Sequence, residues 1–533
     1  VVDRRKAISN QIFRRIKREQ LIPYEPFKPR KNRRTRKTLV VCHGPDNFTL
    51  IEHAAEADHP ELPSAKNEIQ INEITMNSPT PVSPSPLNRR QFLRRASATT
   101  AFLAAAPMIV PSRVLGAAGQ TAPSNKLNLA VIGSGGRGGD DIGGLAPHCN
   151  IVALCDVDAR QAAGTFQKFP AAKQFKDFRK MFDEAAASFD AVVVATPDHT
   201  HAVAAMAAIK HGKHVYCEKP LAHSVGEVRA LMKAARESKV VTQMGNQGHS
   251  FGSIRDFVEW IQAGAIGQVH TIYAGCDAVN SGVDQLPQLK EKHAVPPTLD
   301  WDLWLGPAQF RPYHPAYLPG SWRGWTPFGN GTIGDWMCHV VDPVFWALDL
   351  GSPKTIVANV KNYNPKTQGD AFPKGGLVTF EFAAKGDRGP ITLHWHDGTV
   401  RVPRPEEFDA DDKDIGAGAV VVGNKGKIAY GSHGAGGVRL LPSKRMDEFV
   451  RPPKTIPRVR DHYTDWIDAI RNGRKAGSDF AYGGSLTEVA LLGVIAIKLA
   501  GTKLEWNAEK MQFTNNAEAN ALVNPHARAG WTL

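Results

Sequence analysis

The sequence predicts an α/β fold in two parts. A doubly wound parallel sheet is expected over about 125–246. An α/β domain with a large, mostly antiparallel sheet is expected over 247–533. Three observations predict this. From Lys126 onward short apolar runs alternate with helical stretches of roughly 10–15 residues, the pattern of parallel strands joined by crossover helices. A glycine-rich turn, Gly133-Ser134-Gly135-Gly136-Arg137-Gly138, follows the first apolar run. Beyond residue 248 strand-like runs are separated by Gly/Pro loops, as in antiparallel sheets.

The 533 residues are 42% hydrophobic and 22% charged, enough for two to four units with a sizeable core. This excludes a collagen-like, wholly disordered or small disulfide-stapled chain. The net charge of +13 is uneven. Residues 1–40 carry 14 Lys and Arg against 3 Asp and Glu, whereas 118–533 carry a net charge of only +3. The body is therefore nearly neutral, and no nucleic-acid partner is expected. Residues 1–75 do not read as a domain. They are expected to be disordered, or to precede the true start at Met76.

After Met76 come Asn88-Arg89-Arg90-Gln91-Phe92-Leu93-Arg94, an apolar run from Ala96 to Val110, and small residues around Gly116-Ala117-Ala118. Charged, apolar and small-residue regions in that order read as a twin-arginine export signal over 76–118. The apolar run is about 15 residues, short of the roughly 20 that span a bilayer. A periplasmic or otherwise exported location is expected, with membrane contact only through this signal. No later segment reads as a membrane span. The six cysteines contain no CxxC, which argues against a disulfide framework.

The first strand, Lys126 to Ile132, runs into the glycine turn, and a helix follows to about Leu145. Gly133 permits the tight turn, Gly135 and Gly136 let backbone approach a pyrophosphate, and Gly138 lets the helix pack on the strand. The helix N-terminus offers N–H groups and a positive dipole end to phosphates. The second strand, Ile151 to Cys155, ends in Asp156, 18 residues after Gly138. A carboxylate there binds both ribose hydroxyls and repels a 2′-phosphate, favouring NAD over NADP. Arg137 is a candidate phosphate contact. Arg160, shortly after Asp156, is the feature that could admit NADP, but a surface helix explains it better.

The alternation continues through Asp190 to Ala195, a helix over about 201–211, His214 to Cys217, Val225 to Ser238, and Val240 to Met244. Ligands sit at the C-terminal ends of parallel strands. Thr196, Pro197, His201, Glu218, Lys219, Asn246 and Gln247 fall at or just beyond such ends and should face one crevice.

Together the GxGxxG, the late Asp, the turn Thr196-Pro197-Asp198-His199-Thr200-His201 and the turn Glu218-Lys219-Pro220 resemble the Gfo/Idh/MocA oxidoreductase family. The resemblance runs from about 125 to the C-terminus. It implies that Lys219 contacts substrate and nicotinamide, where an ammonium lowers the pKa of a reacting hydroxyl and stabilises an alkoxide. It also maps the family's D-x-x-x-H motif onto Asp335 and His339. These two are spaced i, i+4 on a helix and share a face. His339 would be the general base, Asp335 would orient substrate, and Asp342 would stand behind His339 and fix its tautomer. No third ligand suits a metal at this motif.

Gln247, His249, Arg323 and Trp322 are secondary substrate-binding candidates. Trp301, Trp304 and Trp325 could stack on sugar rings but suit core packing better. His394 and His396 share a strand face, and His199 is open between packing and site. In the second domain strands are expected at VHTIYAGC, KTIVANV, LVTFEF, ITLHW and GKIAYG. A loop is expected at about 401–417, with amphipathic helices over Asp461 to Asn472 and Leu486 to Ala500.

The expected function is hydride transfer between a sugar- or cyclitol-type hydroxyl and a tightly held NAD, in a homodimer or homotetramer. The alternatives are an NAD-dependent glycoside hydrolase working by transient oxidation, and a non-enzymatic sugar sensor on the same fold.

Overall fold

A computed structural model of the chain describes residues 125–533 and the backbone of two short strands nearer the N-terminus. Those strands, β1 (Lys37–Cys42) and β2 (Phe48–His53), pair antiparallel in a hairpin, with Lys37 opposite His53 and Cys42 opposite Phe48. The sequence reading had expected no element there. The export segment, 76–118, lies outside the described residues.

In the larger unit the first sheet has six strands: β3 (Leu127–Ile132), β4 (Cys149–Cys155), β5 (Lys173–Phe175), β6 (Ala191–Val194), β7 (His214–Glu218) and β8 (Thr242–Gly245). All pair parallel in the order β5-β4-β3-β6-β7-β8. The order reverses beside β3, which opens a crevice at the strand C-termini. Around this sheet run α1 (Arg137–Leu145), α2 (Ala159–Lys168), α3 (Phe178–Ala185), α4 (Asp198–Lys210) and α5 (Val225–Glu237). α5 is fixed at its start by a reciprocal cap between Ser224 and Glu227, a device worth about 1 kcal/mol. α4 starts at Asp198, earlier than expected, because Pro197 has the extended backbone that precedes a first turn.

After α6 (Gly252–Gln262) comes β9 (Val269–Cys276), an interior strand of a nine-stranded sheet. The other strands are β10 (Thr355–Asn359), β11 (Gly375–Phe382), β12 (Ile391–Gly398), β13 (Ala417–Gly423), β14 (Gly426–Gly431), β15 (Gly436–Leu441), β16 (Leu504–Asn507) and β17 (Gln512–Phe513), and the sheet is ordered β15-β14-β13-β9-β12-β11-β10-β16-β17. β9 and β12 pair parallel and the other neighbours antiparallel. β13 and β15 escaped the sequence reading because glycines flank or interrupt their apolar runs.

α7 (Gly331–Val340) packs on this sheet against β9, β12 and β13, and α8 (Asp342–Ala347), α9 (His462–Asn472) and α10 (Phe480–Lys498) follow it along the chain. α10 lies between the two sheets, packed on α5, α7, β8 and β10. It is not the amphipathic helix expected: every residue from Leu486 to Ile497 is buried. Glu488 within it is met by Arg229 of α5, Nη2 to Oε1 at 2.8 Å. By length and composition α10 could cross a membrane, contrary to expectation, but 83% of that stretch is buried in the protein. Cys149, Cys155, Cys217, Cys276 and Cys338 are all free and buried.

Candidate active site

At the C-terminal ends of β3, β4, β6 and β7 lies a cavity of about 500 Å³. The glycine turn forms one wall. Gly133 has φ +82°, and a Cβ there would sit 2.7 Å from the carbonyl carbon of Ala195. Gly138 is tighter still: its Cβ would lie 1.8 Å from the Gly133 oxygen. Both glycines let the turn and α1 close against the strand ends. No side chain caps α1; the Gly138 and Gly139 amides donate to the Gly135 and Gly136 carbonyls at 3.0 Å, and the Arg137 amide and the positive end of the helix dipole face an incoming anion. Asp156 lines the same cavity, its Oδ2 accepting from the Gly135 amide at 2.9 Å and its Oδ1 from that of Asp158 at 3.0 Å.

The opposite wall carries the chemistry. Lys219 Nζ donates to Asp335 Oδ1 at 2.6 Å and to the Asp335 carbonyl at 2.7 Å. Arg323 Nε reaches the same Oδ1 at 3.0 Å, and Asn280 Nδ2 donates to Oδ2 at 3.1 Å. Burial pushes the Asp335 carboxyl up, but Lys219, Arg323 and these hydrogen bonds outweigh it and hold it at about 2. One helical turn on, His339 is 5% exposed and lines the cavity. Burial, then the Lys219 ammonium and the neighbouring imidazole of His433, hold its pKa well below the ordinary histidine value, so it is neutral. A neutral imidazole beside a fixed ammonium can take a proton from a hydroxyl that the ammonium polarises.

The residues present fit a dinucleotide. Besides the uncapped helix and the carboxylate, Thr196 Oγ1 and His339 Nδ1 are buried without a partner among the described residues, and both residues line the cavity. Gly133, Gly135, Gly136, Pro197, His201, Glu218, Gln247, Trp322 and Arg323 line it as the sequence predicted. Gly138 is a packing residue.

Arg137 borders the cavity, its guanidinium paired with Glu218 (3.1 Å) and Asp141 (3.0 Å), and ties the glycine turn to the Lys219 turn. Three expectations are corrected. Asn246 is fully buried, donating to Asp342 and accepting from Ser478, and does not reach the cavity. His249 lies away from it, stacked on Trp346 and lining a smaller hollow. Asp342 does not support His339: a break at Val341, before Pro343, starts α8, and the carboxylate takes His249 Nδ1 at 3.0 Å and the Tyr482 hydroxyl. His199 is structural, its ring between the carbonyls of Phe328 and Trp304. Trp301 and Trp325 sit in an aromatic core cluster, while Trp304 reaches the cavity wall. His394 contacts Thr379 across β11 and β12 and does not line the cavity. Arg160 is two-thirds exposed on α2, beside Asp158.

Sequence reasoning missed Asn280, His433, Lys176 and Trp531. Each comes from a loop or the C-terminal tail and carries no local pattern. Trp531 reaches the cavity because Arg528 anchors the tail on the Gly306 carbonyl at 3.0 Å.

Two family models match this chain. The NAD-binding Rossmann domain of the Gfo/Idh/MocA oxidoreductase family matches residues 127–246, and that family's C-terminal alpha/beta domain matches 280–533. Together they cover well over half of the chain. The chain belongs to the Gfo/Idh/MocA oxidoreductase family. Inositol 2-dehydrogenase of Rubrobacter xylanophilus is 35% identical over 127 residues, 23% of this chain and 35% of that one. Levoglucosan dehydrogenase of Pseudarthrobacter phenanthrenivorans is 29% identical over 241 residues, 45% of this chain and 52% of that one. The matched stretches thus span from about a third to about half of the length of these curated relatives. Among solved structures, an NAD-binding protein from Listeria innocua is 18% identical, with a TM-score of 0.49, covering 71% of this chain and 97% of that one. In family terms, the first sheet with its glycine turn is the NAD-binding half, and α7 brings Asp335 and His339 from the second half to meet Lys219.

Proposed function

We propose that this protein is an NAD-dependent dehydrogenase of a sugar, cyclitol or similar polyol. The observation that carries the reading is the convergence of Lys219, Asp335 and neutral His339 on the cavity of the NAD-binding domain. NAD, when bound, supplies the hydride acceptor. Gly133 to Gly138 and the start of α1 would hold its phosphates and Asp156 its ribose hydroxyls.

The remaining work falls to this chain. Lys219 is held in place by Asp335 and donates a hydrogen bond to the reacting hydroxyl. His339 takes that hydroxyl's proton as the C–H bond breaks, and Lys219 stabilises the developing negative oxygen. Arg323 lies over Trp322, 4.2 Å from ring centroid to guanidinium carbon, and offers neighbouring hydroxyls a charged edge above an apolar plate. Reduction of a keto group runs the same steps backwards. The twin-arginine segment supports export of the folded, NAD-loaded protein, and the homo-oligomer remains part of the proposal.

The test is to purify the protein without added nucleotide, identify any released on denaturation by mass spectrometry, and follow nicotinamide reduction with a panel of polyols. Bound NAD reduced by a polyol is expected. No reduction by any polyol, with wild-type NAD bound, would reject the reading.

A further inference from the structure

Among the described residues no hydrogen bond holds the ring of the proposed catalytic imidazole. His339 Nδ1 is buried without a partner among the described residues, and Asp342 is committed to His249, Asn246 and Tyr482. What lies on the ring is a second ring. His433 stacks on His339 with centroids 4.0 Å apart and planes 26° apart. Trp336 meets both edge-on, at 6.2 Å and 5.7 Å.

His433 is placed there at a conformational cost. It lies at the tip of the β14–β15 hairpin with φ +55°, followed by Gly434 at +72° and Ala435 at +58°. Non-glycine residues are uncommon in this left-handed region, and such strain persists where surrounding structure enforces it. The enforcing structure is the turn after β8. A Cβ on Gly248 would lie 2.4 Å from the Gly434 nitrogen and 2.5 Å from the His433 carbonyl carbon, so the two backbones touch. Ser253 Oγ donates to the Gly434 carbonyl at 2.6 Å, and Ser432 Oγ lies 2.9 Å from His433 Nδ1. The turn that carries Gln247 into the cavity thereby also fixes the hairpin tip.

The charged and titratable groups facing His433 are Lys219, Arg137, Asp335 and His339. Burial, then the two cations, lower its pKa, and Asp335 opposes them. His433 is thus a neutral ring that lies face-on against His339 and shields it from water.

We propose that His433 is the positioning residue for His339, setting the plane of the proton-accepting ring by stacking where other enzymes use a hydrogen-bonded carboxylate. This rests on the dehydrogenase reading of the same site. It deepens that reading by adding a residue from the second domain's hairpin.

The test compares His433→Gly and His433→Phe with wild type. Glycine suits φ +55°, so the first variant removes the ring while relaxing the backbone. Expected for His433→Gly are a loss in kcat of roughly ten- to a hundred-fold, as misplacement of a catalytic group produces, and a dissociation constant for NADH within about two-fold of wild type. The NMR titration midpoint of His339 should rise toward the ordinary histidine value. His433→Phe keeps a stacking face and should recover most of kcat. Unchanged kcat and an unchanged His339 midpoint in His433→Gly would overturn the proposal. So would a His433→Phe no better than glycine, since ring nitrogens and not the ring face would then matter. If wild type oxidises no polyol, the dehydrogenase reading fails, while the His339 titration in the two proteins still decides whether His433 governs that ring.

Discussion

Lys219 and Asp335 are 116 residues apart in sequence, yet Nζ and Oδ1 are 2.6 Å apart, and the ammonium also donates to the Asp335 backbone carbonyl. The first residue ends a strand of the NAD-binding domain, and the second sits on a helix of the other domain. The pair therefore closes the two domains over one cavity and puts a fixed positive charge beside a neutral histidine.

Removing that charge should be severe for chemistry and mild for binding. Lys219→Ala is expected to lower kcat by about 10²–10⁴-fold, the usual value of a positioned proton-transfer group, with NADH affinity little changed. Asp335→Asn should lose less kcat but raise KM, because Asn280 and Arg323 lose their carboxylate as well. Steady-state kinetics with NADH fluorescence titration separates the two effects.

The pH dependence follows from His339. Its folded-state pKa is lowered by burial first, then by Lys219 and His433. The unprotonated, competent form therefore prevails through neutral pH and is lost only as pH falls below the ordinary histidine value. The acid limb of kcat/KM for oxidation should lie below about 6.5. A limb at or above that pH would show that another group titrates.

Asp156 should set cofactor preference. Both its oxygens also accept loop amides. Asp156→Ala is thus expected to weaken NAD binding by about ten-fold or more and to narrow the preference over NADP. Paired titrations with both nucleotides check this; an unchanged preference would place discrimination elsewhere, for example at Lys176.

Two glycines of α1 should behave oppositely. Gly138→Ala forces a methyl toward the Gly133 oxygen, where 1.8 Å is available. It should cost about 1–3 kcal/mol and weaken NAD binding. Gly143→Ala meets nothing within 4 Å on an exposed face and should stabilise by about 0.5–1 kcal/mol. Denaturant midpoints of the two variants against wild type measure both.

Local patterns carried much of this structure into the sequence. The glycine turn, Asp156, Lys219 and the Asp335–His339 pair stand at strand ends or on one helix face; spacing marks out the first two, and the family resemblance marks out the others. Asn280, His433 and the Arg137–Glu218 tie depend on chain segments 55 or more residues apart, or on a hairpin tip with no periodicity. Asp342 shows the limit well. Helical spacing set it behind His339, but the helix breaks at Val341 and turns it toward His249. α10 shows another limit: its period is hidden because both sheets bury it on all sides.

The most direct measurement follows the reduced-nicotinamide absorbance of purified, NAD-loaded protein on mixing with polyols, for wild type and Lys219→Ala side by side. The account predicts stoichiometric reduction by at least one polyol in wild type and none in the variant, with both still holding NAD. Equal reduction in the two proteins, or none in wild type, would contradict the assignment of Lys219, Asp335 and His339 to hydride-transfer chemistry.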